Sequence, residues 1–272
     1  MARLCCLLMC CSLSFSAAAK DQLNWAINAA PPFHITEGPL KQRGLCDALV
    51  RSVRRQLPDI AQPQQIIPQP RIHQLLNEDQ QLCFPCMIHQ DKATKTAVFT
   101  NPTHYYPPQG ILTRKALADF LRQQFGSPVS LAAVLKSNSF KLGLAAGRRY
   151  GSLQPLIDQY AQDPWIRSGD GSMVALLQMI QSGKLDYSLD YPMVLRYLQQ
   201  TAPQMAQGLV YLPIAELRQP VAGAIGCANS EWGQQKVRLI NQVLQKVKQD
   251  PDFTEAQKLW LAPSVPTAAI EH

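Results

Sequence analysis

The sequence Cys83-Phe84-Pro85-Cys86 carries the spacing of a thiol–disulfide site. Such chemistry needs the first cysteine exposed at a helix N-terminus, where its thiolate is stabilised. Here the pair lies inside the apolar run 82–88, which reads as a buried strand whose pairing Pro85 limits. An exported oxidoreductase using Cys83 and Cys86 is therefore the second reading of this chain, not the first. No second such pair and no close His pair completes a zinc site. The five histidines (His34, His73, His89, His104, His272) form no metalloprotease pattern, and no Gly-x-Ser-x-Gly elbow occurs. Asp186 and Asp190 stand four apart on one strand and share a face, but nothing assigns them a reaction. No cofactor is called for.

The residues that suit binding are placed differently. Gly147-Arg148-Arg149-Tyr150-Gly151 falls between a strand and a helix start, where free backbone amides and the positive end of the helix dipole can receive an anion. The other reading of that segment is a plain turn with two exposed arginines. Phe33, Tyr105, Tyr106 and Tyr191 stand at segment ends, where the walls of a cleft would be expected.

The elements that must position these residues alternate. A strand over 22–28 runs into Pro31-Pro32-Phe33, and a helix follows from Asp47 with Leu49, Val50, Val53 and Leu57 on one face. Arg51, Arg54 and Arg55 read as its solvated face. Short strands follow at 66–67, 82–88 and 97–100, with a short helix over 71–77 between the first two. From Ile111 the pattern becomes repeated strand–helix units. A strand over 141–147 precedes a helix with Leu153, Leu156, Ile157 and Tyr160 at helical spacing, capped by Ser152, and a second helix starts at Ser172. Strands at 185–190, 209–212 and 221–227 lead to an amphipathic helix striped by Val237, Ile240, Leu244 and Val247, with Lys236, Arg238, Lys246 and Lys248 around the stripe. This alternation says α/β.

The 272 residues hold 26 Lys+Arg against 19 Asp+Glu, with 46% hydrophobic residues, a balance that excludes disorder. The excess of cations is spread along the chain without a basic run, so nucleic acid is not an expected partner. Residues 1–19 read as a cleaved signal peptide: Arg3, an apolar run over 4–15 too short to span a bilayer, and Ala17-Ala18-Ala19 before Lys20. That places the mature chain in the periplasm. Its cysteines are then Cys46, Cys83, Cys86 and Cys227, an even set that suggests two disulfides with three possible connectivities.

Taken in order, Trp25…Pro32-Phe33, Gly44-Leu45-Cys46-Asp47, Phe99-Thr100-Asn101-Pro102, Leu142-Gly143-Leu144…Gly147…Tyr150-Gly151 and the run from Gly183 to Pro192 resemble the bacterial family 3 extracellular solute-binding proteins, closest to a poorly characterised branch. The resemblance implies a two-lobe, type II periplasmic binding protein-like fold with two crossover segments. Lobe 1 would take 20–110 and 214–272, and lobe 2 111–213. It implies no enzyme, but a monomeric binding protein for a small polar solute that works with an inner-membrane ABC transporter or as a sensor. On that layout the disulfides are expected as Cys83–Cys227 and Cys46–Cys86. Family members carry an Arg about six residues before the Phe99 position to clamp a ligand carboxylate, whereas this chain has Ala93 there, with Lys92 and Lys95 nearest. The expected ligand set is Phe33, Arg71, Lys92, Arg148, Tyr150, Gly151, Asp190 and Tyr191. Arg71, Lys92 and the 148–151 segment would face an anionic group, and Asp190 a cationic or hydroxyl group. Simple amino acids should bind poorly.

Overall fold

The computed structural model describes residues 22–169 and 172–262. The expected signal peptide and its four cysteines lie outside these residues. The first sheet is laid down by parallel strand–helix–strand units, in which each helix covers the sheet while the chain returns to its starting edge. In chain order these are β1 (Trp25–Ile27), α1 (Leu45–Gln56), β2 (Gln64–Ile66), α2 (Gln69–Asn77) and β3 (Cys83–Ile88). Then come β4 (Ala97–Phe99) and β5 (His104–Tyr106), after which the chain crosses to the second sheet. That sheet is built by β6 (Gly110–Arg114), α3 (Lys115–Phe125), α4 (Leu131–Lys136), β7 (Leu142–Ala145), α5 (Gln154–Asp158), β8 (Ile166–Gly169), α6 (Met173–Gln181), β9 (Tyr187–Asp190), α7 (Pro192–Thr201), α8 (Pro203–Ala206) and β10 (Leu209–Pro213). The chain then returns through β11 (Val221–Ala228), α9 (Glu231–Gln249) and α10 (Pro251–Leu261).

The first sheet runs β2-β1-β3-β11-β4, with β5 also paired to β11, and the second runs β10-β6-β9-β7-β8. β11 enters the first sheet antiparallel to β3, with Cys227 opposite Cys83. Each lobe has its own apolar core. In the first, Leu45, Leu49 and Val53 of α1 meet Ile240 and Val247 of α9, and Phe253 and Trp260 of α10. In the second, Leu121, Leu131, Leu142, Leu189 and Leu212 pack together. Cys46 is bonded to Cys86, with Cα atoms 5.8 Å apart, and Cys83 to Cys227 at 3.9 Å. Cys83 and Cys86 each have a different partner, so the pair needed for thiol–disulfide exchange does not exist here.

Several local expectations change. Ser152 caps nothing: Gly151–Leu153 is a single tight 3₁₀ turn, and the helix after it is only α5. A strand not foreseen, β8, precedes the helix capped by Ser172, whose side chain accepts from the Ala175 amide. The arginine face of α1 is not simply solvated. Arg51 forks onto Asp252 with bonds of 2.8 and 2.9 Å, and Arg55 holds Asp250, so α1 is tied to the start of α10. Lys236 is buried rather than set around the stripe, with its ammonium 5.6 Å from the centre of the Trp232 ring.

Candidate functional site

Phe33 is delivered by the start of α1. Helix N-termini leave amides without intrahelical partners. Here the Leu45 and Cys46 amides donate to the carbonyls of Pro32 and Phe33, which seats the preceding loop on the helix end. Asp47 completes the seat: one carboxylate oxygen accepts from the Gly44 and Ile35 amides, and the other lies 2.8 Å from His34 Nδ1. Gly44 cannot be replaced cheaply, because a Cβ there would stand 2.2 Å from the Phe33 carbonyl oxygen.

From the second sheet, β7 delivers Arg148 and β9 delivers Asp190. Gly147, at φ +72°, turns the chain after β7 and lies against Pro70 of α2, where a Cβ would come within 3.0 Å. That contact brings the two lobes together. Arg148 Nη2 donates to Asp190 Oδ1, which also accepts from the Tyr191 amide at 2.7 Å. The Arg148 guanidinium lies 5.5 Å from the centre of the Phe33 ring and 5.6 Å from that of Tyr191, within reach of both π faces. Phe33 meets Tyr191 and Tyr106 edge-on, and Tyr106 stacks on Tyr191 at 4.8 Å. Tyr106 in turn donates its hydroxyl to the Cys86 carbonyl at 2.9 Å. A cation and an anion of one lobe are thus roofed by an aromatic ring of the other.

Burial dominates the electrostatics. It pushes the Asp190 carboxyl above its usual range, against the pull of Arg148 and the Tyr191 amide. Burial also opposes the charge on Arg148, but the attraction and hydrogen bond of Asp190 act the other way, and the guanidinium pKa is raised. The Tyr150 and Tyr191 phenols are raised, chiefly by burial, and remain neutral. Three buried polar atoms of this group find no hydrogen-bond partner among the described residues: Asp190 Oδ2, Arg148 Nε and the Tyr150 hydroxyl.

Of the expected set, Phe33, Arg148, Tyr150, Asp190 and Tyr191 gather here. Arg71 does not join them: it is about half exposed on α2 and lies 3.8 Å from Glu78. Lys92 is exposed on the loop after β3. Two amides of the 148–151 segment already have partners. The Tyr150 amide donates to Gln154 Oε1, the Arg148 amide donates to the Ala145 carbonyl, and Gly151 opens only a single tight turn. Asp186 and Asp190 are not a working pair, since Asp186 binds Arg114 and the Lys141 amide. Tyr106 belongs to the group through its stack on Tyr191, whereas Tyr105 points outward. Among the described residues no three His, Cys, Asp or Glu gather to hold a metal ion, and no helix is long and apolar enough to cross a membrane.

Solved structures share the fold over about nine-tenths of the chain. An ancestral arginine-binding protein bound to glutamine aligns with a TM-score of 0.64 at 18% identity, over 89% of this chain and 98% of that one. The fold is that of the type II periplasmic binding proteins. A histidine kinase sensor domain with similarity to periplasmic binding proteins aligns at 0.67 and 12% identity, over 89% of this chain and 96% of that one. An ancestral amino acid-binding protein, a precursor of cyclohexadienyl dehydratase, aligns at 0.65 and 16%, over 88% and 95%. No family model matches the chain. No curated protein matches it by sequence.

Proposed function

We propose that the protein is a periplasmic binding protein of the family 3 kind, without catalytic activity, that holds a small polar solute between its lobes. The crossovers at 107–109 and 214–220 are its hinges. Closure desolvates the solute and presents a closed shape to an inner-membrane ABC transporter. The observation that carries this reading is the buried Arg148–Asp190 pair, roofed by Phe33 from the opposite lobe and left with unpartnered polar atoms. Buried polar groups are hydrogen-bonded as a rule, so such atoms mark a place where a solute completes the set. Phe33, Tyr106 and Tyr191 supply the apolar walls that binding clefts usually have. Arg71 and Lys92 contribute at most long-range charge.

Native mass spectrometry of freshly purified protein should find a retained small solute. Calorimetry with that solute should show affinity reduced by about 10- to 150-fold in Asp190→Asn, the worth of one charged hydrogen bond in a closed cleft, and reduced also in Phe33→Ala, which removes an apolar wall. Arg71→Ala should bind as the parent does. Unchanged affinity in both cleft variants would move the site elsewhere. The sensor-domain likeness supports a second output of the same binding event, in which closure is read by a signalling partner. Deletion of the gene separates the two: a transport role predicts lost uptake of the solute, a sensing role intact uptake with a lost response.

A further inference from the structure

In the interlobe site, the acid that could receive a cationic solute already has a cation of its own. Asp190 has no solvent exposure, and the Arg148 guanidinium is held against it by a hydrogen bond from Nη2 and by the rings of Phe33 and Tyr191. The pair sums to zero charge. A solute bringing an ammonium or guanidinium would have to displace Arg148, or bury a second cation beside it with no anion to match. A carboxylate would meet the mirror problem, because Asp190 already stands against the cation it would seek. The unmet valences are specific. Asp190 Oδ2, ionised, can only accept; Arg148 Nε carries a hydrogen and can only donate; the Tyr150 hydroxyl can do either.

We infer that Arg148 is the resident cation of this cleft and sets its specificity: the solute meets the Arg148–Asp190 pair with an uncharged group that both donates and accepts, a hydroxyl or a primary carboxamide, and lays an apolar face on Phe33 and Tyr191. This deepens the binding reading above and rests on it. It also gives Arg148 a role distinct from that of a ligand clamp. It fills the slot a cationic solute would take, and it links the lobes through Phe33.

Benzamide, benzamidinium and benzoate share a ring and a planar head and differ in charge, so they read the site directly. With the mature protein, benzamide should raise the unfolding midpoint at a concentration where the two charged analogues do not. In Arg148→Ala the order should invert: Asp190 is left unpaired, and benzamidinium should bind at least about tenfold more tightly than benzamide, as a charge-assisted bond implies. Adding Asp190→Asn to that variant should erase the inversion. If Arg148→Ala does not fold, Arg148→Gln removes the cation but keeps a hydrogen-bond donor for Asp190, and there benzamidinium should again gain on benzamide. A parent protein that takes benzamidinium as readily as benzamide, or a folded Arg148→Ala that gains no cation binding, overturns the inference. So does a retained solute that proves cationic, although that result would leave the binding reading standing. A protein whose parent and variant forms respond to no probe, and that retains no solute, sinks both.

Discussion

Arg148 and Asp190 stand 42 residues apart in the chain and are brought together only because β7 and β9 are parallel neighbours in the second sheet. Their types and places at strand ends were legible, but their pairing was not, since no local spacing encodes it. For the same reason Arg71 looked like a cleft residue until α2 turned it toward Glu78. His104 shows a different residue-scale effect. It is fully buried on β5, with Nδ1 2.7 Å from the Thr103 hydroxyl and its ring 4.4 Å from that of Tyr106. Burial, with a smaller repulsion from Lys248, lowers the His104 pKa to about 3. The unfolded chain takes up this proton below its ordinary pKa of about 6.5, while the folded chain refuses it. Stability is therefore full above that pH and falls as pH drops toward 3, by about 1.4 kcal/mol per unit. Urea unfolding from pH 6.5 to 4.5 should show that slope, and His104→Leu should flatten it by one proton. An unchanged slope would mean the imidazole protonates in place.

At the scale of elements, periodicity revealed β1, β3, β4, β7, β9, β10, β11 and α9, which carry regular apolar runs, but not β5, β6 or β8. It missed α7 and α10, which begin at Pro192 and Pro251, each in the first helical position. Asp250 shows what signal was available: its side chain caps α10 by accepting from the Asp252 amide, and Arg55 of α1 binds the same carboxylate. Arg55 holds the Asp250 carboxyl below the usual carboxylate range, and Arg51 does the same for Asp252. A lowered carboxylate pKa contributes stability that is complete above about pH 4 and lost below it. Asp250→Ala should therefore cost about 1–2 kcal/mol at neutral pH, through the lost cap and ion pair, and less at pH 3, as denaturant midpoints would show. The other joint around α9 is steric. Gly233, in its first turn, lies so close to the end of β11 that a Cβ would be 1.9 Å from the Ala228 carbonyl oxygen. Gly233→Ala should destabilise by about 1–3 kcal/mol despite the better helix propensity of alanine. A stabilised variant would show that the helix can shift off the strand.

For the molecule as a whole, the asymmetry of its cross-links matters more than any one contact. All four described cysteines lie in the first lobe, where Cys46–Cys86 fastens α1 to β3 and Cys83–Cys227 fastens β3 to β11, the strand that returns from the second lobe. Residues 111–213 contain no cysteine. With partners 40 and 144 residues apart, chain entropy alone gives about 4 and about 5 kcal/mol for the separate bridges. The joint effect is smaller than the sum, because the two loops overlap. The tryptophans report the lobes separately enough to follow this: Trp25 and Trp260 are buried in the first lobe, and Trp165 is 40% exposed in the second. Oxidised protein should unfold in urea with tryptophan fluorescence and far-ultraviolet circular dichroism moving together. With dithiothreitol, or with all four cysteines replaced by serine, the fluorescence transition should move several kcal/mol lower, and the circular dichroism should split into two steps, the first following the fluorescence as α1, α2, α9 and α10 are lost. The Arg148 cluster, which needs Phe33 from the weakened lobe, should lose solute binding with that first transition. Coincident transitions in the reduced protein would instead mean that the interface through Phe33, Tyr106 and Tyr191 couples the lobes more strongly than the disulfides hold either one.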